Sequence, residues 1–414
     1  MKTLLFFLFF CSYHSRSQTL NFDSARQSSI EALRSERGAS SATGKGNEED
    51  RLSEVAASQN SKFEADCGIP ILSADEPLKA RLGEMIMVGF RGYECPVELS
   101  NQLESGLVGG VVLFDYDHLN KEFNRNIHST EQIKELCHSL KLMSKHSLWI
   151  AIDQEGGLVS RLKPDYGFPA TLSQQELGAL DDLLTTRKQS KMTGLLLSQL
   201  GINVNYAPVV DLNLNPESLC VGKKKRSFSS QPSIVTQHAK QVILGHRESG
   251  VFCVLKHFPG HGSAEGDTHE GFVDISNTWS EEELIPYEQL ILSHSVDMIM
   301  TAHIFNKHLD PKYPASISKL IINDILRGRL GYEGVVVSDD LQMKAIANYY
   351  TLEETVEKAL EAGLDVLLFA NQQEYDPLIS NKVVDIIDNL VSTGKIRLER
   401  IEKSLERIGR LKKS

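Results

Sequence analysis

The chain has 414 residues, with 44 Lys plus Arg against 55 Asp plus Glu and a formal charge of −11. That acidic balance argues against general nucleic-acid binding and gives no attraction to an anionic membrane surface. Hydrophobic residues make up 41% and charged residues 24%, which excludes wholesale disorder, and no apolar run reaches the roughly 20 residues of a membrane-spanning helix.

The N-terminus opens with Lys2, an apolar run over Leu4–Phe10, and then Ser15 and Ser17 at the −3 and −1 positions of a cut after Ser17. This is the layout of a secretory signal peptide over residues 1–17. Cys11, directly after the run, offers the alternative of a bacterial lipoprotein leader with a lipid anchor, although Phe10 stands where a small residue is usual. Residues 18–66 are rich in Ser, Ala, Glu, Asn and Arg, and the stretch over 35–50 can bury little apolar surface, so a disordered linker is expected. The expected location is therefore outside the cytoplasm, in the periplasm or cell envelope, with the cytoplasm as the alternative. The six cysteines, Cys11, Cys67, Cys95, Cys137, Cys220 and Cys253, contain no CxxC pair. They suggest neither a metal or redox motif nor a disulfide scaffold.

Beyond residue 66 short apolar runs alternate with amphipathic stretches. Eight runs read as strands: Ile86–Phe90, Gly110–Phe114, Leu148–Ile152, Ile202–Tyr206, Val251–Leu255, Val296–Met300, Gly334–Val337 and Val366–Phe369. Most are continuously apolar, as strands covered on both faces are; the fourth differs, with Asn203 and Asn205 alternating with apolar residues. Helical patterns run over Ser173–Leu200, Pro232–Glu248, Glu281–His294, Ser318–Leu330, Leu352–Ala362, Asp376–Thr393 and Arg397–Lys412. Asp376, Pro377 and Gly394 mark the ends of one of them. Alternation of this kind implies parallel strands with helical crossovers, and eight units are the count of a closed (β/α)8 TIM barrel. A doubly wound sheet is the alternative, but no GxGxxG follows a strand. Residues 67–414 are thus expected to form one barrel domain.

A barrel places its chemistry at the C-terminal ends of its strands. There the sequence has Asp153-Gln154-Glu155-Gly156-Gly157 with Arg161 after strand three, and Asp211 and Arg226 after strand four. Lys256-His257-Phe258-Pro259-Gly260-His261-Gly262 and Asp267-Thr268-His269 follow strand five, His303 strand six, and Ser338-Asp339-Asp340 strand seven. One such residue alone is more often a helix cap; five successive strands with ionisable ends point to a catalytic mouth. Asp339 should face that mouth, where a carboxylate can act as nucleophile, while Asp340 points elsewhere because strand neighbours alternate faces; the reverse assignment is the alternative. The i, i+2 pair Asp267 and His269 can fix one imidazole tautomer and leave the other nitrogen to shuttle protons. Arg161, Arg226, Lys256 and His257 supply donors and Asp153 an acceptor, a mixture that suits a polyhydroxylated ligand. Two rivals remain open: Lys256 as a Schiff-base amine, or a metal held by His257, His261, Asp267 and His269.

These segments, together with Leu341 and Met343 after the Asp pair, resemble the bacterial β-N-acetylglucosaminidases of glycoside hydrolase family 3, over residues 75 to 414. The resemblance implies a (β/α)8 barrel and a retaining two-step hydrolysis. It implies Asp339 as nucleophile and His269, assisted by Asp267, as acid/base. Asp153, Arg161, Arg226, Lys256 and His257 become the binders of the terminal sugar, with no metal or organic cofactor. The implied partner is a carbohydrate, an N-acetylglucosamine-containing glycan such as a muropeptide, and the expected enzyme is a monomer. Ser263 stands where the family commonly has an acidic residue, Thr268 where Ser is common, and residues 221–226 are unusually basic. A β-glucosidase-like family member and a catalytically silent cell-wall sugar-binding protein are the alternative functions.

Overall fold

The computed structural model describes residues 77–414, so the leader and linker expected over 1–17 and 18–66 lie outside the described residues. Its centre is a ring of eight parallel strands: β1 (Ile86–Gly89), β2 (Gly110–Leu113), β3 (Trp149–Ile152), β4 (Val204–Asn205), β5 (Phe252–Phe258), β6 (Met298–Thr301), β7 (Val335–Ser338) and β8 (Leu367–Phe369). Each lies within, or overlaps, one of the eight apolar runs. The order around the sheet is β7-β6-β5-β4-β3-β2-β1-β8. Val88 of β1 sits between Val111 of β2 and Phe369 of β8. The ring closes between β7 and β8 through a parallel bridge from Val337 to Val366 and the bond from the Ser338 N–H to the Val366 carbonyl, 3.0 Å. Closure removes the free sheet edges.

The shortest strand, β4, shows why its run broke the apolar pattern. Asn203 accepts from the Ile150 N–H at 2.7 Å and donates to the Leu148 carbonyl at 2.9 Å. Asn205 does the same to Gln154, accepting from its N–H and donating to its carbonyl, both at 3.0 Å. Two side-chain amides thus take over ladder bonds to β3, satisfying buried backbone groups that a two-residue strand cannot.

The helices depart from the sequence reading in several places. Val97–Glu104 and Thr130–Met143 follow β1 and β2, where no helical pattern is singled out. The helix expected from Asp376 and Pro377 begins only at Ile379, Asp376 closing the turn before it by accepting from the Leu378 N–H at 3.0 Å. The stretch over Ser173–Leu200 is two helices, Gln174–Leu180 and Leu183–Gln199. Ser173 and Glu176 form a capping box for the first, Asp181 takes a left-handed conformation (φ 45°), and Asp182 accepts from the Leu184 N–H to cap the second. Adjacent aspartates favour such local bonds over helix continuation. The stretch from Glu281 opens as a 3-10 turn, Glu281–Leu284, before the α-helix Ile285–Leu292. Pro286, which has no N–H to give, sits in the first turn of that helix. Residues Leu320–Arg329 are a π-helix. No helix among the described residues is long and apolar enough to cross a membrane.

The two ends of the barrel are polar for different reasons. At the N-terminal end Asp365, just before β8, is fully buried and pairs with Arg327 (2.7 Å) and Arg407 (3.1 Å). Lys412 of the last helix, Leu398–Lys412, pairs with buried Glu84 and stacks 4.7 Å from the Trp149 ring centre. These pairs bolt the terminal helix across the bottom. The opposite end holds the open groups.

Candidate active site

The C-terminal mouth encloses a cavity of about 640 Å3, lined among others by Asp153, Arg226, Lys256, His269 and Asp339. That volume falls in the ordinary range for small-molecule sites. The eight residues expected to carry catalysis or sugar binding all border it: Asp153, Arg161, Arg226, Lys256, His257, Asp267, His269 and Asp339; Asp211, His261 and His303 lie behind this lining.

Asp339 follows β7 directly, its N–H donating to the Thr301 carbonyl at 3.1 Å and its Oδ1 accepting from the Asp340 N–H at 2.8 Å. Asp340 turns to β8, where its Oδ1 accepts from the Ala370 N–H (2.9 Å) and the Gln342 N–H (3.1 Å). The two carboxyls differ electrostatically. Burial, with backbone donors only partly compensating, pushes Asp340 up to about 6. Burial also opposes ionisation of Asp339, but the imidazoles of His303, His257 and His269 outweigh it and hold Asp339 below the usual carboxylate range. Asp339 is therefore the more readily ionised of the two, and Asp340 is the strap between strands.

The donor side is one buried charge cluster. Lys256 reaches Asp153 Oδ1 (2.8 Å) and Glu155 Oε1 (2.6 Å). Arg226 grips Glu155 with a two-pronged fork, Nε to Oε2 at 2.8 Å and Nη2 to Oε1 at 2.7 Å. Arg161 holds the other oxygen of Asp153 at 3.1 Å. Burial alone would raise Glu155, yet the Arg226 and Lys256 cations bring it down to about 2. The same balance, with Lys256 and Arg161, holds Asp153 well below its ordinary value. Lys256, 2% exposed and held between two carboxylates, is a salt-bridged cation and not the free amine that Schiff-base chemistry needs. Beside it, His257 points Nδ1 at Asp211 Oδ2, 2.7 Å away, and its N–H donates to Asp211 Oδ1 at 3.0 Å. Burial opposes the Asp211 charge, but His257 brings it down to about 2.

Across the cavity, His269 Nδ1 lies 2.7 Å from Asp267 Oδ1, and the His269 N–H donates to the same oxygen at 2.9 Å. The i, i+2 spacing thus makes a turn that locks the pair together. Burial of Asp267 is outweighed by these bonds, and its carboxyl lies far below the usual range. His269 is half-exposed, with its outer edge open to the mouth. Its loop is tied back twice: Gln373 Nε2 donates to the His269 carbonyl at 2.8 Å, and Val273–Asp274 pairs in parallel with Ile304–Phe305. The loop's start needs glycine, since a Cβ on Gly262 would sit 1.7 Å from the Leu212 carbonyl oxygen. The four-residue metal rival does not assemble: among the described residues the ligand-capable atoms that gather with those of Asp267 and His269 belong to Cys220, not to His257 or His261, and His257 is turned to Asp211.

Four site residues escaped the sequence reading as functional positions. Glu155 stands two residues after Asp153 on an extended segment, so both carboxylates project to one side; that spacing was the available signal. Asp211 was visible only as a strand-end acid, and His303, bonded to the Asp340 carbonyl (2.8 Å) and Ser316 (2.6 Å), only as a strand-end base. Glu283 gave no signal. It is fully buried and accepts from the N–H groups of Gly262 (3.0 Å) and Ser263 (3.2 Å), anchoring the start of the loop that carries Asp267 and His269. Burial, aided by Asp211, pushes it up to about 8. A carboxyl raised on folding stabilises the protein fully below its unfolded value, near 4.5, and that contribution is lost as pH rises through about 8. Glu283→Gln is expected to shrink the fall in Tm between pH 5 and pH 8, measured by calorimetry; an unchanged difference would remove Glu283 from the pH response.

A parallel barrel whose mouth sets an ionised strand-end carboxylate against a His–Asp pair, over a cluster of salt-bridged donors, is equipped to act on a polyhydroxylated ligand. Residues 77–411 match the model of the glycosyl hydrolase family 3 N terminal domain. The chain is 31% identical over 372 residues to beta-hexosaminidase A of Pseudoalteromonas piscicida, covering 80% of this chain and 60% of that protein. It is 35% identical over 282 residues to a beta-hexosaminidase of Nitrosomonas eutropha, covering 66% and 76% of the two chains. Among solved structures it resembles a glycoside hydrolase family 3 beta-N-acetylglucosaminidase from Paenibacillus sp., with a TM-score of 0.74, 33% identity, and 82% of this chain on 62% of that one. The chain belongs to glycoside hydrolase family 3. It spans about three fifths of the length of the Pseudoalteromonas and Paenibacillus proteins.

Proposed function

We propose that the protein is a retaining exo-β-N-acetylglucosaminidase that releases terminal β-linked N-acetylglucosamine, with peptidoglycan fragments as its source. The observation that carries this reading is the placement of Asp339 and the 2.7 Å His269–Asp267 pair around one cavity. The names of the similar proteins support the sugar. In the first step Asp339 attacks the anomeric carbon as His269 protonates the departing oxygen, giving a glycosyl-aspartate ester. In the second step His269, an imidazolium at the start and left neutral by the first transfer, takes a proton from water, and the hydroxyl displaces Asp339. Asp267 fixes the imidazole so that Nε2 is the nitrogen that exchanges protons. Asp153, Arg161, Arg226, Lys256 and His257 hold the sugar through its hydroxyl and acetamido groups.

The test is turnover of 4-nitrophenyl N-acetyl-β-glucosaminide against the corresponding glucoside. Preference for the glucosaminide supports the reading, a faster glucoside moves it to the β-glucosidase-like alternative, and binding without turnover of either leaves a silent sugar-binding protein. His269→Ala is expected to cut kcat by about 10^2- to 10^4-fold on a disaccharide whose leaving alcohol needs a proton, and by less in the first step with nitrophenolate. Equal losses on both substrates in single-turnover measurements would refute the acid role. Export is part of the same proposal, and mass spectrometry of the mature N-terminus separates Met1, Gln18 and a lipidated Cys11. A monomer is expected by light scattering.

A further inference from the structure

Behind the acid–base pair lies a group that hydrolysis does not use. Cys220, on the loop after β4, is 4% exposed, and its thiol stands beside the Asp267 carboxylate. Ligand-capable atoms of Cys220, Asp267 and His269 all lie within 4.8 Å of one another. A thiol sulfur, a carboxylate oxygen and an imidazole nitrogen form a donor set that suits a borderline-soft divalent cation. Zinc places such atoms at about 2.3 Å (S), 2.0–2.1 Å (N) and 2.0–2.2 Å (O), so neighbouring ligand atoms stand a little over 3 Å apart. The 2.7 Å His269–Asp267 contact has to open by roughly 0.6 Å to reach that spacing. Half-exposed His269 gives the entry path, and the cavity beyond it leaves room for a fourth, water ligand.

We propose that Cys220, Asp267 and His269 form an inhibitory site for a divalent cation of the zinc class. Two cations stand close by. Arg226 is committed to Glu155 and donates to the Cys220 carbonyl at 3.0 Å, away from the sulfur. Lys224 Nζ lies 3.6 Å from Asp267 Oδ2, on a side chain 42% exposed that can swing into solvent. The bound ion's charge of +2 is matched by one thiolate and one carboxylate. The thiol proton leaves to solvent, and the cation takes the Nδ1 lone pair, so the imidazole proton resides on Nε2. A metal-bound imidazole in that tautomer has no lone pair with which to take a proton from water. The site therefore switches off the pair that the reaction needs.

The experiment uses the full chain stripped of metal. One equivalent of Co2+ is expected to give a thiolate-to-cobalt charge-transfer band in the near ultraviolet, kept in Cys95→Ser and lost in Cys220→Ser. Zn2+ is expected to inhibit nitrophenyl glucosaminide turnover, with reversal by chelator. Cys220→Ser, referred to its own metal-free rate, is expected to need at least about ten-fold more Zn2+. His269→Ala, altered only at a half-exposed side chain, is expected to weaken Co2+ binding by at least the same factor while keeping the thiol. No band in the wild-type chain, or the same band and Zn2+ sensitivity in Cys220→Ser, overturns the proposal. The inhibition arm rests on the proposed activity and the cobalt spectrum does not, so a band without turnover supports the site while removing the glycosidase reading.

Discussion

Asp339→Asn is expected to lower kcat on the order of 10^4-fold, with KM changed far less, because the variant keeps the shape of the residue and loses only the carboxylate proposed as nucleophile. The position tolerates the amide. The Asp339 backbone is fixed by its bond to the Thr301 carbonyl at 3.1 Å, and Oδ1 keeps the Asp340 N–H, 2.8 Å away, as donor. The lost charge is the one that the surrounding imidazoles maintain against burial. Steady-state turnover of the nitrophenyl glucosaminide, with Tm to verify folding, measures the effect. Wild-type turnover in Asp339→Asn would end the nucleophile assignment. Asp340→Asn should behave differently: its side chain bonds to the backbone beside β8, so the variant reports on Tm before it reports on rate.

Glu155→Ala is expected to destabilise the protein by about 3–5 kcal/mol, the cost of stranding buried charge when one partner of an ion-pair network is removed. Its side chain is 1% exposed, and it is the anchor of both the Arg226 fork and the Lys256 ammonium. Without it the two cations keep Asp153, the Cys220 carbonyl and, 3.3 Å from Arg226, the His257 Nε2 as partners. The urea midpoint measures the loss; an unchanged midpoint would mean that water replaces the carboxylate at little cost. Glu155 also gives the fold an acid limb. Its carboxyl is lowered on folding from near 4.5 to about 2, so its stabilisation is complete above 4.5 and is lost as pH falls through 2. This opposes Glu283, whose contribution disappears at the alkaline side.

The barrel was legible because its signals are local. Continuous apolar runs mark strands covered on both faces, and 3.6-residue periodicity marks the helices between them. The Asp267–His269 pair was legible for the same reason, since two residues in one turn need no other part of the chain to meet. The face of Asp339 followed from strand alternation. Local reasoning failed where local bonds competed, as at Asp181 and Asp182, whose side chains and left-handed turn split one helical pattern into two.

What the sequence determined by itself is the set of eight strand–helix units, the strand ends on which ionisable residues fall, and the resemblance carried by those residues. The tertiary structure alone decided the pairings: Glu155 with Arg226 and Lys256, His257 with Asp211, Glu283 with the loop at Gly262, and Cys220 beside Asp267. Each joins loops from different strands. Which carboxylate meets which cation there depends on how closure of the ring orders the loops around the mouth, and which of them keeps its charge depends on how deeply that closure buries it.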